Sequence, residues 1–453
     1  MTVLTNASGQ KPHLVFCAAP HEGHTLPLLT VASTLAKRGW TLDFVLGEQF
    51  RDRVEAIGST LSPIPDAMTP ERMAVRNMVP MGLPRVIYDL QNIFIERTEE
   101  RWLVLRDVLA KVRESDPSRE VIIVTEPFFM GANPMLYGAP LPKGWAKRPR
   151  VVSLGIAALL AFSIDVGPVG MGLLPDSSKA GRKRNQLLQL MVTMGPMAQL
   201  IELQHKILEK LGATDFSGAV TDATSSWYYA PDALLQLCPR SLEFERSDMP
   251  PNVEFVGWPV ATTVEEQTVR AMPSWWDDVM TSGRKIVMVS QGTVQLDYTD
   301  LVVPTMRALA NRDDVYTVVV LGAKGATLPD DVEMPDNVRV VDYFPYDMIL
   351  AHADVFVMNA GYGGMMHGVL NGVPMVFAGA TEDKPDVAAR GEWAGIAVNL
   401  DTGKPSEKQV GEAVQEILTN DRYKKRVAEI RQENEELRTL DRIEKHIIAQ
   451  SMA

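Results

Sequence analysis

Two histidines three residues apart, His21 and His24, stand in the segment Pro20-His-Glu-Gly-His24, directly after the apolar run 13–19. An imidazole titrates near neutrality and can take a proton from a hydroxyl, so a histidine held beyond a strand end is a candidate general base. By residue type alone either could serve. A second segment with chemical promise is Asn359-Ala-Gly-Tyr-Gly-Gly364, which follows the apolar run 355–358. A helix opening near Gly363 aims free backbone N–H groups and the positive end of its dipole at an anion such as a diphosphate.

Both segments need scaffolding, and the surrounding pattern supplies it. Strand 13–19, a glycine-containing loop, helix 26–38 ending at Gly39 and strand 41–46 form a βαβ unit of a parallel sheet. Runs 121–125 and 151–154 are further strands. The grammar restarts with strand 285–290, helix 300–311 and strand 315–321, and continues through strands 338–341, 355–358 and 374–378. Two such systems predict an α/β protein of two Rossmann-like, doubly wound domains facing across a cleft. In such sheets ligands bind beyond the carboxyl ends of the strands. The expected boundaries are 1–246, a linker at 247–274, 275–425, and a long charged helix over 421–450 whose part from 426 to 453 packs across the domains. Segment 185–211 reads as helical, rich in Leu and Met, and broken near Gly195-Pro196. It is either a core or lid helix or a flexible apolar wall for a ligand.

Composition narrows the class. The 453 residues exceed one ordinary core, and 46% hydrophobic with 23% charged residues is usual for a globular chain. A net charge of −12 argues against a nucleic-acid binder, which needs a basic face. Two cysteines, Cys17 and Cys238, provide neither a disulfide framework nor a CxxC metal site. The amino terminus lacks the layout of a signal peptide, and the longest apolar run, 151–162, is too short to span a bilayer. A cytoplasmic location without integral membrane association is the expectation.

Read together, Gly23-His24-Thr-Leu-Pro27, Val338-Arg-Val-Val-Asp-Tyr-Phe-Pro-Tyr346, 352–364 and Glu382-Asp-Lys-Pro385 resemble the UDP-dependent inverting glycosyltransferases of the GT-B fold, especially the macrolide-type and related bacterial and fungal members. The resemblance implies a sugar, glucose from UDP-glucose foremost, moved with inversion to a hydroxyl of a small apolar acceptor such as a phenol, polyketide or terpenoid. It makes His24 the general base rather than His21. Glu126, just after strand 121–125, takes the place of the aspartate that orients this histidine. Tyr343 takes the position that stacks on the uracil, and Phe344 the one whose backbone bonds the base. Gln291-Gly292-Thr293 resembles the loop whose hydroxyl reaches a phosphate, joined there by Asn359 and the amides of Gly361, Tyr362, Gly363 and Gly364. Three departures bear on the base and sugar. Asn359 stands for a histidine, His367 for a ribose-binding glutamate, and Asp383-Lys384, after Glu382, for an Asp-Gln pair that reads sugar hydroxyls. Phe128, Phe129, Met130, Met191 and Met194 are the candidate acceptor contacts. No Asp-x-Asp metal motif stands at a strand end, so neither a metal nor a cofactor is expected beyond the UDP-sugar co-substrate.

Three other readings compete. Gly361-x-Gly363 with Asp383 about twenty residues on also suits a nicotinamide-dependent oxidoreductase, although Met366 stands where that fingerprint needs a small residue. The same fold could serve a nucleotide-sugar epimerase or hydrolase. A catalytically silent nucleotide-sugar binder is the third. The acceptor, its regiochemistry and the oligomeric state are not encoded in any of these motifs.

Overall fold

A computed structural model describes residues 11–80, 82–216, 220, 222, 224–260, 272–293 and 295–452. The β-branched runs form short strands buried on both faces, as all-parallel sheets require. The first sheet comprises β1 (His13–Cys17), β2 (Leu42–Gly47), β3 (Thr60–Ile64), β4 (Val121–Thr125), β5 (Arg150–Gly155), β6 (Ala233–Gln236) and β7 (Val253–Phe255), in the order β3-β2-β1-β4-β5-β6-β7. The second comprises β8 (Lys285–Ser290), β9 (Val315–Val320), β10 (Val338–Val341), β11 (Val355–Met358), β12 (Met375–Phe377) and β13 (Ala397–Asn399), in the order β10-β9-β8-β11-β12-β13. Every strand pairing in both sheets is parallel.

Strand order reverses between β1 and β4 in one sheet and between β8 and β11 in the other. At such a point the flanking connections leave to opposite faces and open a crevice. Phe16 pairs with Val124 and Ser290 with Met358, so the loops after these four strands emerge as neighbours in each domain. Glu126, Thr293 and Asn359 are carried by those loops, and His24 by the first turn of the helix that follows β1.

The helices that matter to the site are α1 (Glu22–Lys37), α2 (Pro70–Met78), α3 (Leu83–Asp89), α4 (Thr98–Ser115), α5 (Lys179–Met194), α6 (Ala198–Lys210), α7 (Val302–Leu309), α8 (Tyr362–Leu370), α9 (Lys384–Trp393), α10 (Glu407–Thr419), α11 (Asp421–Leu437) and α12 (Thr439–Ser451). Helix α1 begins four residues before the expected start, so His24 stands in its first turn rather than in a loop. Segment 185–211 is two helices, α5 and α6, parted at Gly195-Pro196. Of the expected linker, residues 261–271 lie outside the described residues.

The C-terminal stretch is not one helix. Arg438 adopts φ 49°, ψ 54° and separates α11 from α12. No Gly or Pro marks this break, and its cause is tertiary. Asn434, buried near the end of α11, accepts from the Trp258 backbone N–H at 2.7 Å, while its own amide and the Thr439 hydroxyl donate to the Trp258 carbonyl. The chain crossing between domains thus pins both sides of the turn. Beyond it, Ile443 and Ile447 enter the first domain's core beside Leu28, Leu35 and Trp40. Arg38 pairs with Asp441 at 2.8 Å and Trp40 Nε1 donates to Glu444 at 2.7 Å.

Candidate active site

The end of β1 and the end of β4 converge on one carboxylate. Glu126 is 1% exposed, and its Oε1 accepts the Ala19 N–H at 2.9 Å while Oε2 accepts the Phe128 N–H at 2.8 Å. The same Oε2 lies 3.2 Å from His24 Nδ1. A carboxylate only accepts, so this bond places the imidazole proton on Nδ1 and leaves the Nε2 lone pair free to take another. Glutamate serves here because its extra methylene spans from the end of β4 to both the β1 terminus and the first turn of α1.

His21 has a different environment. Burial, then the His24 and Arg101 charges, pull its imidazole down to about 3. So weak a base is poorly matched to deprotonating a hydroxyl near neutrality. Of the two histidines, only His24 has a carboxylate partner.

Arg101 is a participant that the sequence reading missed. It is fully buried in α4, and it donates to the carbonyls of Phe128 at 3.0 Å, Phe129 at 3.2 Å and Ile93 at 2.8 Å. Burial pulls the guanidinium down to about 10, with Glu126 opposing. It clamps the loop after Glu126, where Met130 sits at φ 55° and a Cβ on Gly131 would meet both Phe129 and Arg101. Its signal was available: Arg101 stands on the helical stripe otherwise formed by Trp102, Leu105, Val108, Leu109 and Val112.

Around His24 the walls are aromatic. Phe128 lies edge-on at 5.1 Å and Phe94 at 5.6 Å between ring centroids, with Trp227 and Tyr228 behind Phe128 at 5.6 and 6.4 Å. Of the expected acceptor contacts, Phe128 packs against the histidine ring. Phe129 points to the opposite side of the sheet, in the core with Trp102 and Leu105. Met130 is buried at 4% exposure, and Met191 and Met194 project outward at 68% and 74%. The Met-rich helix is therefore not an inner wall, because α5 buries its polar side instead.

Facing this wall are the loops of the second domain. Thr293 is exposed just after β8. Gln291 is not a ligand contact: its buried side chain accepts the Leu301 and Val302 N–H groups at 2.9 Å each and donates to the Asp297 carbonyl at 2.9 Å, capping α7. Gly292 takes φ 77° and its carbonyl packs against Gly322, where a Cβ would collide. Asn359 is committed as well. Its amide donates to the Gln291 carbonyl and its Oδ1 accepts the Gly361 N–H at 3.4 Å, stapling the two loops together.

Helix α8 starts beyond this staple, after Ala360 at φ 58°. Open space lies where a Gly363 side chain would stand, and Gly361 would meet only Asn359. Gly364 has a packing reason instead, since a Cβ there would strike Met358. The Tyr362 side chain turns away from the opening. It is 6% exposed, and its hydroxyl accepts from Gln236 at 3.1 Å across the domain seam. Further along, Tyr343 is 37% exposed with Lys324 Nζ 5.8 Å from its ring centroid, whereas Phe344 is buried against Trp276 at 5.6 Å. The Phe344 side chain is therefore closed to a ligand. His367 Nδ1 meets Asp347 Oδ1 at 2.8 Å, both partly exposed. Burial alone would raise the Asp347 carboxyl, but His367 and Asn371 hold it below its ordinary value.

The segment before α9 joins the two domains. Glu382, at φ 53°, meets Lys384 Nζ and lies 2.9 Å from Arg76 of α2, which in turn grips Asp89 of α3 through two bonds of 2.8 and 2.7 Å. Burial and the Arg76 charge pull the Lys384 ammonium down to about 8, Asp89 opposing. Burial, then Asp386, push Asp383 up to about 6 against the pull of His24 and Arg390. Asp386 accepts the Gly170 N–H of the first domain at 2.6 Å. Deeper in the seam Arg390 grips the buried Glu243 at 2.7 to 2.9 Å and donates to the Leu159 carbonyl at 3.1 Å. None of Arg76, Glu243 or Arg390 was singled out from the sequence. Among the described residues no group of three or more His, Cys, Asp or Glu side chains gathers to hold a metal.

A base with its carboxylate on one wall, and a helix N-terminus with a free hydroxyl on the other, define a nucleotide-sugar-dependent glycosyltransferase of the GT-B architecture. Comparison with known proteins agrees. Residues 191–442 match the family described as "UDP-glucoronosyl and UDP-glucosyl transferase". The chain is 40% identical over 440 residues to UDP-glucosyltransferase 1 of Beauveria bassiana, covering 96% of this chain and 94% of that one. It is 34% identical to UDP-glucosyltransferase A1 of Starmerella bombicola, over 97% and 92% of the two chains. A solved glycotransferase of kitacinnamycin superposes with a TM-score of 0.72 at 20% identity, over 97% and 99% of the two chains. The chain belongs to the UDP-glucuronosyl and UDP-glucosyl transferase family and is a UDP-dependent glycosyltransferase. The competing nicotinamide reading falls with this result, and Met366, fully buried in the second core, is ordinary helix packing.

Proposed function

We propose that the protein transfers glucose from UDP-glucose, with inversion, to a hydroxyl of a small apolar acceptor bound beside His24, Phe94 and Phe128. The observation that carries the reading is the His24–Glu126 pair, seated at the switch point of one sheet opposite the switch-point loops of the other. His24 Nε2 takes the acceptor proton as the acceptor oxygen attacks the anomeric carbon. The bond from that carbon to the diphosphate oxygen breaks, and UDP leaves with the electron pair. Its developing charge is met by the Thr293 hydroxyl and the N-terminal amides of α8, an arrangement aimed at the transition state. Glu126 holds the tautomer and offsets the imidazolium.

The relatives named as UDP-glucosyltransferases support glucose as the sugar. The charges beside the sugar site favour a neutral hexose too. Lys384 faces Glu382, and Arg76 is shared between Glu382 and Asp89, so neither of these two cations is left unmatched for a sugar carboxylate. We propose a reaction that needs neither a metal nor a cofactor, in a protein acting in the cytoplasm. The test is UDP release from UDP-glucose with phenolic, polyketide and terpenoid acceptors, with and without EDTA. A glycosylated product of inverted configuration, undiminished by EDTA, is expected. UDP binding without turnover over the whole panel would establish a silent binder instead.

A further inference from the structure

Helix α5 is inside out. Its buried positions are Gly181, Asn185, Gln189 and Val192, and its outward face carries Leu187 at 51%, Leu190 at 53%, Met191 at 68% and Met194 at 74% exposure. The polar buried residues have definite work: Asn185 donates to the Ile164 carbonyl at 3.1 Å, and Gln189 to the carbonyls of Ser163 at 2.6 Å and Val166 at 3.0 Å. The helix is therefore held in this orientation by its polar side, and the apolar stripe faces water. Met171 and Leu174 are also exposed, on the preceding loop.

The charge on this helix is equally at odds with stability. Cations in the first turns oppose the helix dipole, yet Lys179, Arg182, Lys183 and Arg184 all lie there. No Asp or Glu occurs between Asp176 and Glu202, in a chain whose net charge is −12. Arg182 is tied to Asp165 at 2.7 Å, while Lys183 and Arg184 are exposed. Steps of three and four carry the outward face from Lys179 and Lys183 to Leu187, Leu190, Met191 and Met194, so cations and apolar side chains share one face. That combination fits an interfacial helix lying on lipid headgroups.

We propose that α5 and its preceding loop dock the protein on an anionic lipid bilayer. Charge selects this occupant. A second copy meeting the same face brings the same cations and no acidic side chain from this segment, whereas an acidic headgroup layer neutralises them. The location also suits the acceptor cleft. The loop that holds α5 continues to Gly170 and Gly172, which rest on Asp386 and Pro385 at the start of α9 beside Asp383. Docking this face sets the cleft edge against the layer in which apolar acceptors dissolve. Attachment is peripheral, since no helix among the described residues is long and apolar enough to cross a membrane.

The experiment is flotation of the full chain with vesicles of phosphatidylcholine alone and with about one-third phosphatidylserine, at low and high salt. Co-flotation with the anionic vesicles, weakened by salt, is expected. Lys183→Gln/Arg184→Gln should lower partitioning roughly fivefold per cation removed, and Leu187→Gln/Leu190→Gln should lower it further, with UDP affinity and thermal midpoint unchanged. Failure of the wild-type chain to float, or equal flotation of both variants, overturns the proposal. So does a concentration-dependent dimer without vesicles that the leucine variant abolishes, which would assign the face to a second copy.

Discussion

Glu126→Gln preserves shape and removes one acceptor. The carboxylate serves three donors, Ala19 N–H on one oxygen and Phe128 N–H with His24 Nδ1 on the other. A carboxamide has one oxygen. If that oxygen faces Ala19, the NH2 group opposes the Phe128 amide and can engage His24 only when Nδ1 is unprotonated. The ring then carries its proton on Nε2 and is no longer a base toward the acceptor. If the oxygen faces His24, the NH2 group is pressed against the buried Ala19 amide. Either way a buried donor goes unsatisfied, at about 1–3 kcal/mol of stability. Loss of the general base corresponds to about 10²–10⁴ in kcat. The assay is acceptor-dependent UDP release, with UDP affinity by calorimetry as the control. Glu126→Asp keeps the charge but is too short to hold both strand ends, so it should retain partial activity. Turnover of the glutamine variant within about threefold of wild type, far short of that loss, would refute the orienting role of Glu126.

Three further outcomes follow from the same structure. Arg76→Ala strands the buried Asp89 and should cost about 3–5 kcal/mol, whereas Glu382→Gln leaves the Arg76–Asp89 pair intact and should cost about 1 kcal/mol; urea unfolding of both variants tests the asymmetry. Arg101→Met removes three hydrogen bonds to carbonyls and frees the loop after Glu126, so kcat should fall at least tenfold with UDP affinity unchanged in a binding titration. Asp386 is pushed up to about 6, chiefly by burial. A carboxyl raised in the folded state stabilises below its unfolded pKa near 4 and loses that contribution as pH rises through 6. Asp386→Asn should therefore flatten the fall in thermal midpoint between about pH 4 and 6, and an unaltered pH profile would count against a buried, proton-binding Asp386.

The legible parts were those written in local pattern. Val-Ile runs alternating with amphipathic stretches specify parallel strands and crossover helices, because each burial period is a property of its own segment. The His24 and Asn359–Gly364 loops were legible for a related reason, since chemistry and backbone freedom select few residue types. Short strands such as β3, with its Pro63, and the three-residue β7 and β13 were not legible, because their pairing partners lie far along the chain.

Side-chain direction was the larger gap. Asn359 and Gln291 were read as ligand contacts by position, yet each spends its side-chain amide on the protein itself. Met191 and Met194 were read as an inner wall because periodicity finds a stripe without saying which way it faces. The direction of α5 came from the bonds of Asn185 and Gln189 to a loop 21 and 26 residues earlier.

By itself, then, the sequence determined two parallel α/β domains, the loops that carry the chemistry and the family of the reaction. Only the tertiary structure decided that Glu126 reaches His24, that Arg101 stands behind them, and that Arg76, Glu243 and Arg390 weld the seam. The physical reason is range. Secondary structure answers to neighbours a few residues away, whereas a buried charge is tolerable only where a distant partner meets it, 102 residues away for His24 and Glu126 and 147 for Glu243 and Arg390.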